Sequence, residues 1–308
     1  MTKKISVVVP VYYNEKSLAI LFNRLQTVEK ELQEKQISLE LIFVDDGSQD
    51  NSFDELMKIK SQCSDVKIIK LTRNFGAIHA SKTGCRFVTG DAFVILAADL
   101  QDPPELILQM VDAWLKGSKF TIGVRATRED SFLTRGFATC YYFLLRLMVD
   151  KTYPKGGFDM ALMDKTLLPY LVNSSKNIYT PLYLYWLGFK PTILHYDRPK
   201  RIHGKSMWTI TKKIKTFLDA LLGFSVIPIR LISLIGFFVA LISFGYGLNI
   251  VIHALLGAFT IPGYATVVCL IAFLLGLIIM MLGVIGEYLW RIFSEVNHQP
   301  EVIIDEIY

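Results

Sequence analysis

Cysteine is scarce in this chain of 308 residues, which contains only four. Cys63, Cys85, Cys140 and Cys269 are widely separated, so they form neither the close pairs of a zinc site nor a disulfide framework. Free cysteine is readily buried as a small apolar side chain, and we expect these four to act as packing residues. Cysteine chemistry is therefore not expected to carry the function.

Charge is missing from one long segment, because residues 231–286 contain no Asp, Glu, Lys or Arg. That length is more than twice the ~20 residues needed to cross a bilayer, and Gly and Pro interrupt it at 257–264. The pattern predicts a transmembrane hairpin with helices at 229–256 and 264–290. The alternative, two buried helices of a soluble core, is disfavoured by two adjacent spans without a charge.

Charged residues make up 20% of the chain and hydrophobic ones 52%, which excludes a disordered chain. The net charge is +5, and Lys and Arg far outnumber acidic residues between 190 and 230. By the positive-inside rule, both termini then face the cytoplasm. An N-terminal signal peptide is also absent, so we expect the first two hundred residues to stay in the cytoplasm. No nucleic-acid motif accompanies the positive charge, and no nucleic-acid partner is expected.

Before the hairpin, apolar runs alternate with helical patterns. Strands are predicted at 5–11, 39–44, 66–71 and 92–98, with helices at 18–36 and 52–63. Near-continuous apolar strands separated by helices indicate a doubly wound α/β domain with a mostly parallel sheet. Such folds bind ligands beyond the carboxyl ends of their strands. Polar clusters follow all four strands, at 12–15, 45–48, 72–76 and 99–104.

Carboxylates dominate two of these clusters. Asp45 and Asp46 are suited to accept hydrogen bonds from a ribose or a base, although a turn or helix cap would also place aspartate there. Asp99, Gln101 and Asp102 offer hard oxygen ligands that suit Mg²⁺ bridging a diphosphate. Because Pro103 begins a predicted helix, Asp102 is alternatively an N-cap.

Two amphipathic stretches, 132–148 and 206–228, combine apolar residues with sparse basic ones. The second adjoins the first membrane span and is predicted to lie in the headgroup layer, whereas the first fits packing against the α/β domain equally well. Basic side chains on these and neighbouring segments suit phosphate binding or a general attraction to anionic lipid. They are Arg125, Arg128, Arg135, Arg198, Arg201, His203 and Lys205.

Four motifs together resemble a known family: VPVYYNE at 9–15, VDDGS at 44–48, LTRNFG at 71–76 and ADLQDPPE at 98–105. They are similar to the motifs of inverting family 2 glycosyltransferases with a GT-A fold. More narrowly, they resemble polyprenyl-phosphate hexose synthases, the group of the bactoprenol glucosyltransferases of the GtrB type and dolichol-phosphate mannose synthase. The resemblance extends through GKSMW at 204–208, both predicted spans and IGEYLWR at 285–291.

The resemblance implies transfer of a hexose from a nucleotide diphosphate sugar, UDP-glucose or a related UDP-sugar, to undecaprenyl phosphate. The implied setting is the cytoplasmic face of a bacterial inner membrane, for modification of cell-envelope glycans, with Mg²⁺ or Mn²⁺ as the cofactor. The implied nucleotide-binding residues are Pro10, Tyr12, Glu15, Asp45, Asp46 and Arg73. The implied metal ligands are Asp99 and Gln101, and the implied lipid-phosphate contacts are Arg125, Arg135, Arg198, Arg201 and Ser206.

Asp159, in the sequence GGFD, matches a family aspartate near the sugar, and with Asp99 it is the predicted catalytic residue; a loop or cap role is the alternative. The chain departs from the family pattern at three positions. Ala97 replaces the first Asp of the usual Asp-x-Asp, Ala161 replaces an arginine, and Met207 replaces a lysine. Loss of a carboxylate at 97 weakens the metal site or passes its role to Asp102.

Ala97 also supports a different class of function, a non-catalytic membrane scaffold that binds lipid phosphate and has kept the GT-A fold. The retained aspartates and arginines favour the enzyme. The predicted organisation is a cytoplasmic GT-A domain at 1–205, a juxtamembrane amphipathic helix at 206–228, the two spans, and a cytoplasmic C-terminal tail at 291–308. We expect a homo-oligomer, with that tail as a contact.

Overall fold

The computed structural model describes residues 3–126, 142–143, 145–147, 151–176, 178–197, 220, 222–225, 227–256, 263–297 and 299–308. Its strands are β1 (Lys3–Val11), β2 (Ile37–Asp45), β3 (Lys67–Leu71), β4 (Ala92–Ile95), β5 (Phe120–Arg125), β6 (Met160–Asp164), β7 (Thr192–Tyr196) and β8 (Ile304–Ile307). Its helices are α1 (Glu15–Glu34), α2 (Ser52–Gln62), α3 (Ala77–Cys85), α4 (Leu106–Leu115), α5 (Leu168–Val172), α6 (Thr180–Trp186), α7 (Ile227–Leu255) and α8 (Tyr264–Val296). Contacts divide the chain into two units, Met1–Ala220 with Pro300–Tyr308, and Leu221–Gln299.

The first unit is built on one eight-stranded sheet in the order β7-β5-β6-β4-β1-β2-β3-β8. Strands β1 to β4 run parallel to one another, as predicted. Strand β6 is antiparallel to both β4 and β5, and β7 is parallel to β5. The sheet is therefore mixed, and the carboxyl ends of β1 to β5 and β7 share one edge with the beginning of β6.

Helices cover both faces of the sheet, which explains why its central strands are rich in apolar residues. Two polar exceptions, Ser6 and Glu40, are hydrogen-bonded to each other. Alternate residues of β1 from Ile5 to Val11 pack in one core with the buried side of α1, including Leu18 and Leu21. On the opposite face, α3 lies against β1 and β2, where Val8 is fully buried. This layered α/β arrangement agrees with the predicted GT-A class.

A short C-terminal strand joins the sheet, within the segment 291–308 that the sequence analysis named as a cytoplasmic tail. Strand β8 pairs antiparallel with β3, with Ile69 opposite Ile307 and Leu71 opposite Ile304. Pro300–Tyr308 accordingly belongs to the first unit. A four-residue strand with two acidic residues gives little hydrophobic pattern, which is why the sequence did not predict it.

The second unit consists mainly of α7 and α8, which cover the two predicted spans. Both are long and apolar enough to cross a membrane, over Ile229–Asn249 and Phe273–Val296. Many of their large apolar side chains are exposed, Ile242 and Phe244 among them, as expected for helices that face lipid. The predicted juxtamembrane helix at 206–228 lies largely outside the described residues.

Candidate active site

Polar residues gather at the sheet edge where the parallel strands end. Asp45 ends β2, Asp99 follows β4, and Arg125 ends β5. Asp159 precedes β6, and because β6 runs antiparallel to its neighbours its beginning lies at this same edge. The loops after β1 to β4 therefore lie at one edge of the sheet, as predicted. The ends of β5 and β7 and the beginning of β6 lie at the same edge.

Asp45 and Asp46 are both 1% exposed, yet they have different surroundings. The Oδ1 atom of Asp45 accepts a hydrogen bond of 3.3 Å from the Ser48 backbone N–H, as the turn-capping alternative expects. Asp46 accepts from the backbone N–H groups of Phe75 and Gly76, at 2.7 and 2.9 Å. Burial raises the pKa of both carboxyls, and these backbone bonds oppose the shift.

The two bonds to Asp46 tie the β2 turn to the loop that follows β3. We call residues 72–76 the clamped loop. Gly47 is needed at this crossing, since it has φ +70° and an added Cβ would lie 2.5 Å from the carbonyl carbon of Arg73. Asp46 thus holds a neighbouring loop with both carboxylate oxygens, a role that the family resemblance alone did not suggest.

The other predicted nucleotide residues surround the same turn. Pro10 pairs with Val44 in the sheet, and the Tyr12 backbone N–H donates to Asn14. Glu15 accepts from the Asn51 backbone N–H at 3.2 Å. Arg73 is exposed, and its guanidinium lies 4.3 Å from the ring centre of Phe75. The structure brings these side chains to one end of the sheet, while their contact with a nucleotide stays a prediction.

The loop after β4 presents Asp99 and Gln101, both partly buried. Asp99 Oδ1 accepts from the Gln101 backbone N–H at 3.2 Å, and Leu100 between them has φ +61°. A left-handed leucine is strained and is found where the surrounding structure imposes a special loop shape. The loop therefore sets Asp99 and Gln101 in a defined arrangement.

Asp102 does not cap α4; it is a buried member of a second polar group. It is 3% exposed, and its Oδ1 accepts a 2.6 Å hydrogen bond from the Tyr196 hydroxyl. Burial raises its pKa to about 7, and the carboxylates of Asp159 and Asp99 act in the same direction. The N-cap position of α4 is Glu105 instead.

Arg125 and Asp159 form a two-pronged ion pair beside Asp102. Arg125 Nε and Nη2 donate to the two carboxylate oxygens of Asp159 at 2.5 and 2.6 Å. Tyr196 Oη lies 3.4 Å from Asp159 Oδ2, so it bridges Asp102 and Asp159. Although burial acts to lower it, the Asp159 carboxylate holds the pKa of Arg125 above its ordinary value.

Strand pairing explains why these side chains meet. Arg125 and Tyr196 are opposite each other in the β5–β7 pair, and Asp159 donates its backbone N–H to Gly123 in β5. Gly123 leaves room for the tyrosine ring, because an added Cβ would lie 3.3 Å from Tyr196 Cε1 and 2.9 Å from Leu106. We call Asp102, Arg125, Asp159 and Tyr196 the acidic network.

Sequence reasoning missed Tyr196 because a tyrosine at the end of an unpredicted strand carries no motif. It predicted Arg125 as a lipid-phosphate contact, and in the structure that guanidinium binds Asp159. A guanidinium has five N–H donors, and this pair uses two of them. Arg135, Arg198, Arg201 and Ser206, predicted for the same phosphate, lie outside the described residues.

The donor atoms fit a divalent cation that arrives with a diphosphate. Among the described residues, no three His, Cys, Asp or Glu side chains are grouped as metal ligands. Mg²⁺ commonly takes one or two protein carboxylates and completes its shell with phosphates and water. Asp99 and Gln101 would supply the hard oxygens for such a site, in which Ala97 stands where the family pattern has a second carboxylate.

Comparisons with known proteins agree with the family resemblance. Residues 6–171, more than half of the chain, match the sequence profile of glycosyl transferase family 2. The chain is 32% identical over its whole length to an uncharacterized glycosyltransferase of Synechocystis, 96% of which is covered. It is 31% identical to the bactoprenol glucosyl transferase of Shigella phage SfV, with 98% of each chain covered.

Solved structures with a similar chain path include glucosyl-3-phosphoglycerate synthase from Mycobacterium tuberculosis, in complex with Mn²⁺, UDP-glucose and phosphoglyceric acid. It has a TM-score of 0.49 and 16% identity, with 71% of this chain and 80% of that chain covered. The family resemblance first seen in the four motifs is confirmed by the profile and by the full-length relatives.

Proposed function

The chain belongs to glycosyl transferase family 2, and we propose that it moves a hexose from a nucleotide diphosphate sugar to polyprenyl phosphate. The bactoprenol glucosyl transferases that it resembles over 98% of its length support the lipid acceptor. UDP-glucose or a related UDP-sugar is the proposed donor, and undecaprenyl phosphate is the proposed acceptor. The acidic network carries the proposal, because it sets an aspartate and an arginine in fixed geometry at the ligand-binding edge.

The nucleotide half of the site is formed by the loops after β1, β2 and β3. Asp45 is placed to accept hydrogen bonds from the ribose or base, while Asp46 keeps the clamped loop beside it. Tyr12 and Glu15 flank this position, and Arg73 extends from the clamped loop with an exposed guanidinium suited to phosphate oxygens. These residues orient the donor so that its diphosphate points toward Asp99.

The transfer needs alignment more than proton abstraction. A phosphate oxygen of the lipid attacks the anomeric carbon, the bond from that carbon to the nucleotide diphosphate breaks, and the nucleoside diphosphate leaves with the electron pair. The lipid phosphate is already anionic at neutral pH, so its oxygen is nucleophilic without a strong base. Attack from the opposite side inverts the anomeric configuration.

Asp159 is proposed to orient the sugar or the incoming phosphate. Its carboxylate is held by two bonds from Arg125 and approached by the Tyr196 hydroxyl, so its position is set before substrates bind. The remaining donors of Arg125 are suited to the acceptor phosphate, and Arg135, Arg198, Arg201 and Ser206 are proposed to add to it. Preorganised charge of this kind lowers the barrier without reorganisation during the reaction.

Asp99 and Gln101 are proposed to hold Mg²⁺ or Mn²⁺ together with the donor diphosphate. When bound, the cation neutralises charge that develops on the departing nucleotide diphosphate. Ala97 leaves this site with one carboxylate fewer than the family pattern, so much of the coordination shell would come from the diphosphate itself. Mg²⁺ tolerates that arrangement well.

We place the family domain and both termini on the cytoplasmic side of a bacterial inner membrane. The uncharged run at 231–286, the basic segment before it and the helices α7 and α8 support this placement. Residues 206–228 are proposed to lie along the headgroups, where they would present the lipid phosphate. We also propose that the protein forms a homo-oligomer, since a two-helix anchor is small.

The test is transfer of radiolabel from UDP- and GDP-sugars to undecaprenyl phosphate by the full-length protein in detergent. Reactions contain Mn²⁺, Mg²⁺ or EDTA, and Asp99→Ala is compared with Asp65→Ala, which removes an exposed aspartate outside the site. The proposal predicts metal-dependent labelling from one donor, retained in Asp65→Ala and lost in Asp99→Ala. Lipid binding without labelling from any donor would support the scaffold function, with Ala97 as its explanation.

A further inference from the structure

The C-terminal segment, residues 300–308, contacts the start of the clamped loop and the helix α3 that follows it. On the side of β3, the Thr72 backbone N–H donates to the Ile303 carbonyl at 3.1 Å, directly after the β3–β8 pairing ends. On the side of α3, which begins one residue after the clamped loop, Glu301 contacts three basic side chains. The segment therefore contacts the first residue of the clamped loop and the helix that follows the loop.

Glu301 is the centre of the α3 contact. Its side chain is 8% exposed, with Oε1 2.9 Å from His79 Nδ1 and Oε2 3.1 Å from Lys82 Nζ. Arg86 Nη2 lies 3.3 Å from the same Oε2. The Lys82 side chain is itself buried and also donates to the Ser174 carbonyl. Glu301 thus meets two basic side chains on α3, His79 and Lys82, and a third, Arg86, directly after the helix ends. A buried carboxylate with several basic neighbours fixes a helix more firmly than an exposed ion pair does.

The contact between Glu301 and α3 lies near the backbone that Asp46 binds. His79 is on the first turn of α3, three residues after Gly76, whose backbone N–H binds Asp46. The clamped loop is thus attached at three places: Asp46 at its end, Ile303 at its start, and Glu301 through the helix that follows. Moving α3 would shift the Gly76 N–H relative to Asp46.

We propose that Glu301 is a positioning residue for nucleotide binding, which acts by holding α3 and through it the clamped loop. The inference rests on the proposed function, because it takes the clamped loop as part of the nucleotide half-site. It gives the last nine residues a part in donor binding, beyond the role of a tail or a subunit contact.

The experiment measures nucleotide affinity and kinetics in the full-length protein in detergent. Glu301→Gln keeps the shape and removes the charge, and Glu306→Gln makes the same change at an exposed glutamate of β8. UDP and GDP binding is measured by calorimetry, together with KM for the donor, KM for undecaprenyl phosphate, and kcat. We expect Glu301→Gln to raise the nucleotide Kd and the donor KM about tenfold, within the range of couplings carried through packed networks.

Acceptor KM and kcat are expected to change less than twofold in Glu301→Gln, and Glu306→Gln is expected to behave as the wild type. His79→Ala tests the same contact from the α3 side, so the question is answered even if a change at 301 prevents folding. Because the two residues act through one contact, the double variant should lose less than the product of the two single effects.

The outcomes separate the two proposals. If the wild type binds and uses a donor but Glu301→Gln and His79→Ala match Glu306→Gln in nucleotide affinity, the positioning role is wrong and the proposed function stands. A lower melting temperature or kcat with unchanged nucleotide Kd would equally overturn the positioning role, since that is the result of a purely structural contact. A wild type that binds neither nucleotide would overturn both.

Discussion

Replacing Asp46 by alanine should destabilise the family domain measurably. Asp46 is only 1% exposed, and its replacement leaves the backbone N–H groups of Phe75 and Gly76 without their acceptor. A buried N–H that loses its partner costs about 1–3 kcal/mol, and Phe75 and Gly76 are partly buried, so we expect a total loss of about 2–4 kcal/mol. For a domain of this size that corresponds to a fall in melting temperature of roughly 5–15 °C.

The assay is thermal unfolding followed by tryptophan fluorescence in detergent, with Asp65→Ala as the control. Asp46→Asn should lie between the wild type and Asp46→Ala, because its amide oxygen still accepts one of the two N–H groups while its NH₂ faces the other. If Asp46→Ala melts at the same temperature as the control but fails to bind nucleotide, Asp46 does not stabilise the loop. In that case Asp46 would contact the ligand directly, as the family resemblance implied.

Four substitutions, a pH series and removal of metal test the acidic network, the Glu301 contact and the proposed metal site. Gly123→Ala should lower kcat at least tenfold, because the added methyl group displaces the Tyr196 ring. Tyr196→Phe, which removes only the hydroxyl, should lower kcat less. Donor KM should be unchanged in both variants in steady-state assays. Although burial acts to raise it, bonds from its basic neighbours hold the pKa of Glu301 below its ordinary 4.5. Because the pKa of Glu301 is lower in the folded state, its ionised form stabilises the fold above about pH 4.5, and this stabilisation is lost as the pH falls further. The difference in melting temperature between the wild type and Glu301→Gln should therefore shrink below about pH 4.5. EDTA should abolish transfer, and excess Mg²⁺ should restore it in the wild type but not in Asp99→Ala.

Much of the first half of the fold followed from the sequence. The strands β1 to β4 are rich in apolar residues, and helices α1 and α2 have helical periodicity. Because the strands are buried on both faces, polar residues cluster mainly beyond their carboxyl ends. Asp45 and Asp99 were found for that reason. Strands β5 to β7 were not predicted, because short apolar runs such as 160–164 are also compatible with helix.

The side-chain contacts within the site could not be predicted from the sequence, for a different reason. Arg125, Asp159 and Tyr196 are far apart in the chain and meet only because β5 lies between β6 and β7. The contact of Glu301 with α3 likewise depends on β8 returning to the sheet edge from the end of the chain. Motifs identify residue types at strand ends, whereas the order of strands decides which of them touch.

The most direct test of the central claim is the rate at which full-length Asp159→Asn forms polyprenyl-phosphate hexose, measured beside its nucleotide affinity. Asparagine keeps the size of the side chain and loses the charge that pairs with Arg125. If Asp159 orients the reacting groups, Asp159→Asn should bind nucleotide as the wild type does, with transfer reduced at least a hundredfold, while Asp65→Ala retains full transfer. A wild-type rate of transfer in Asp159→Asn would show that the acidic network is not the place where the sugar is transferred.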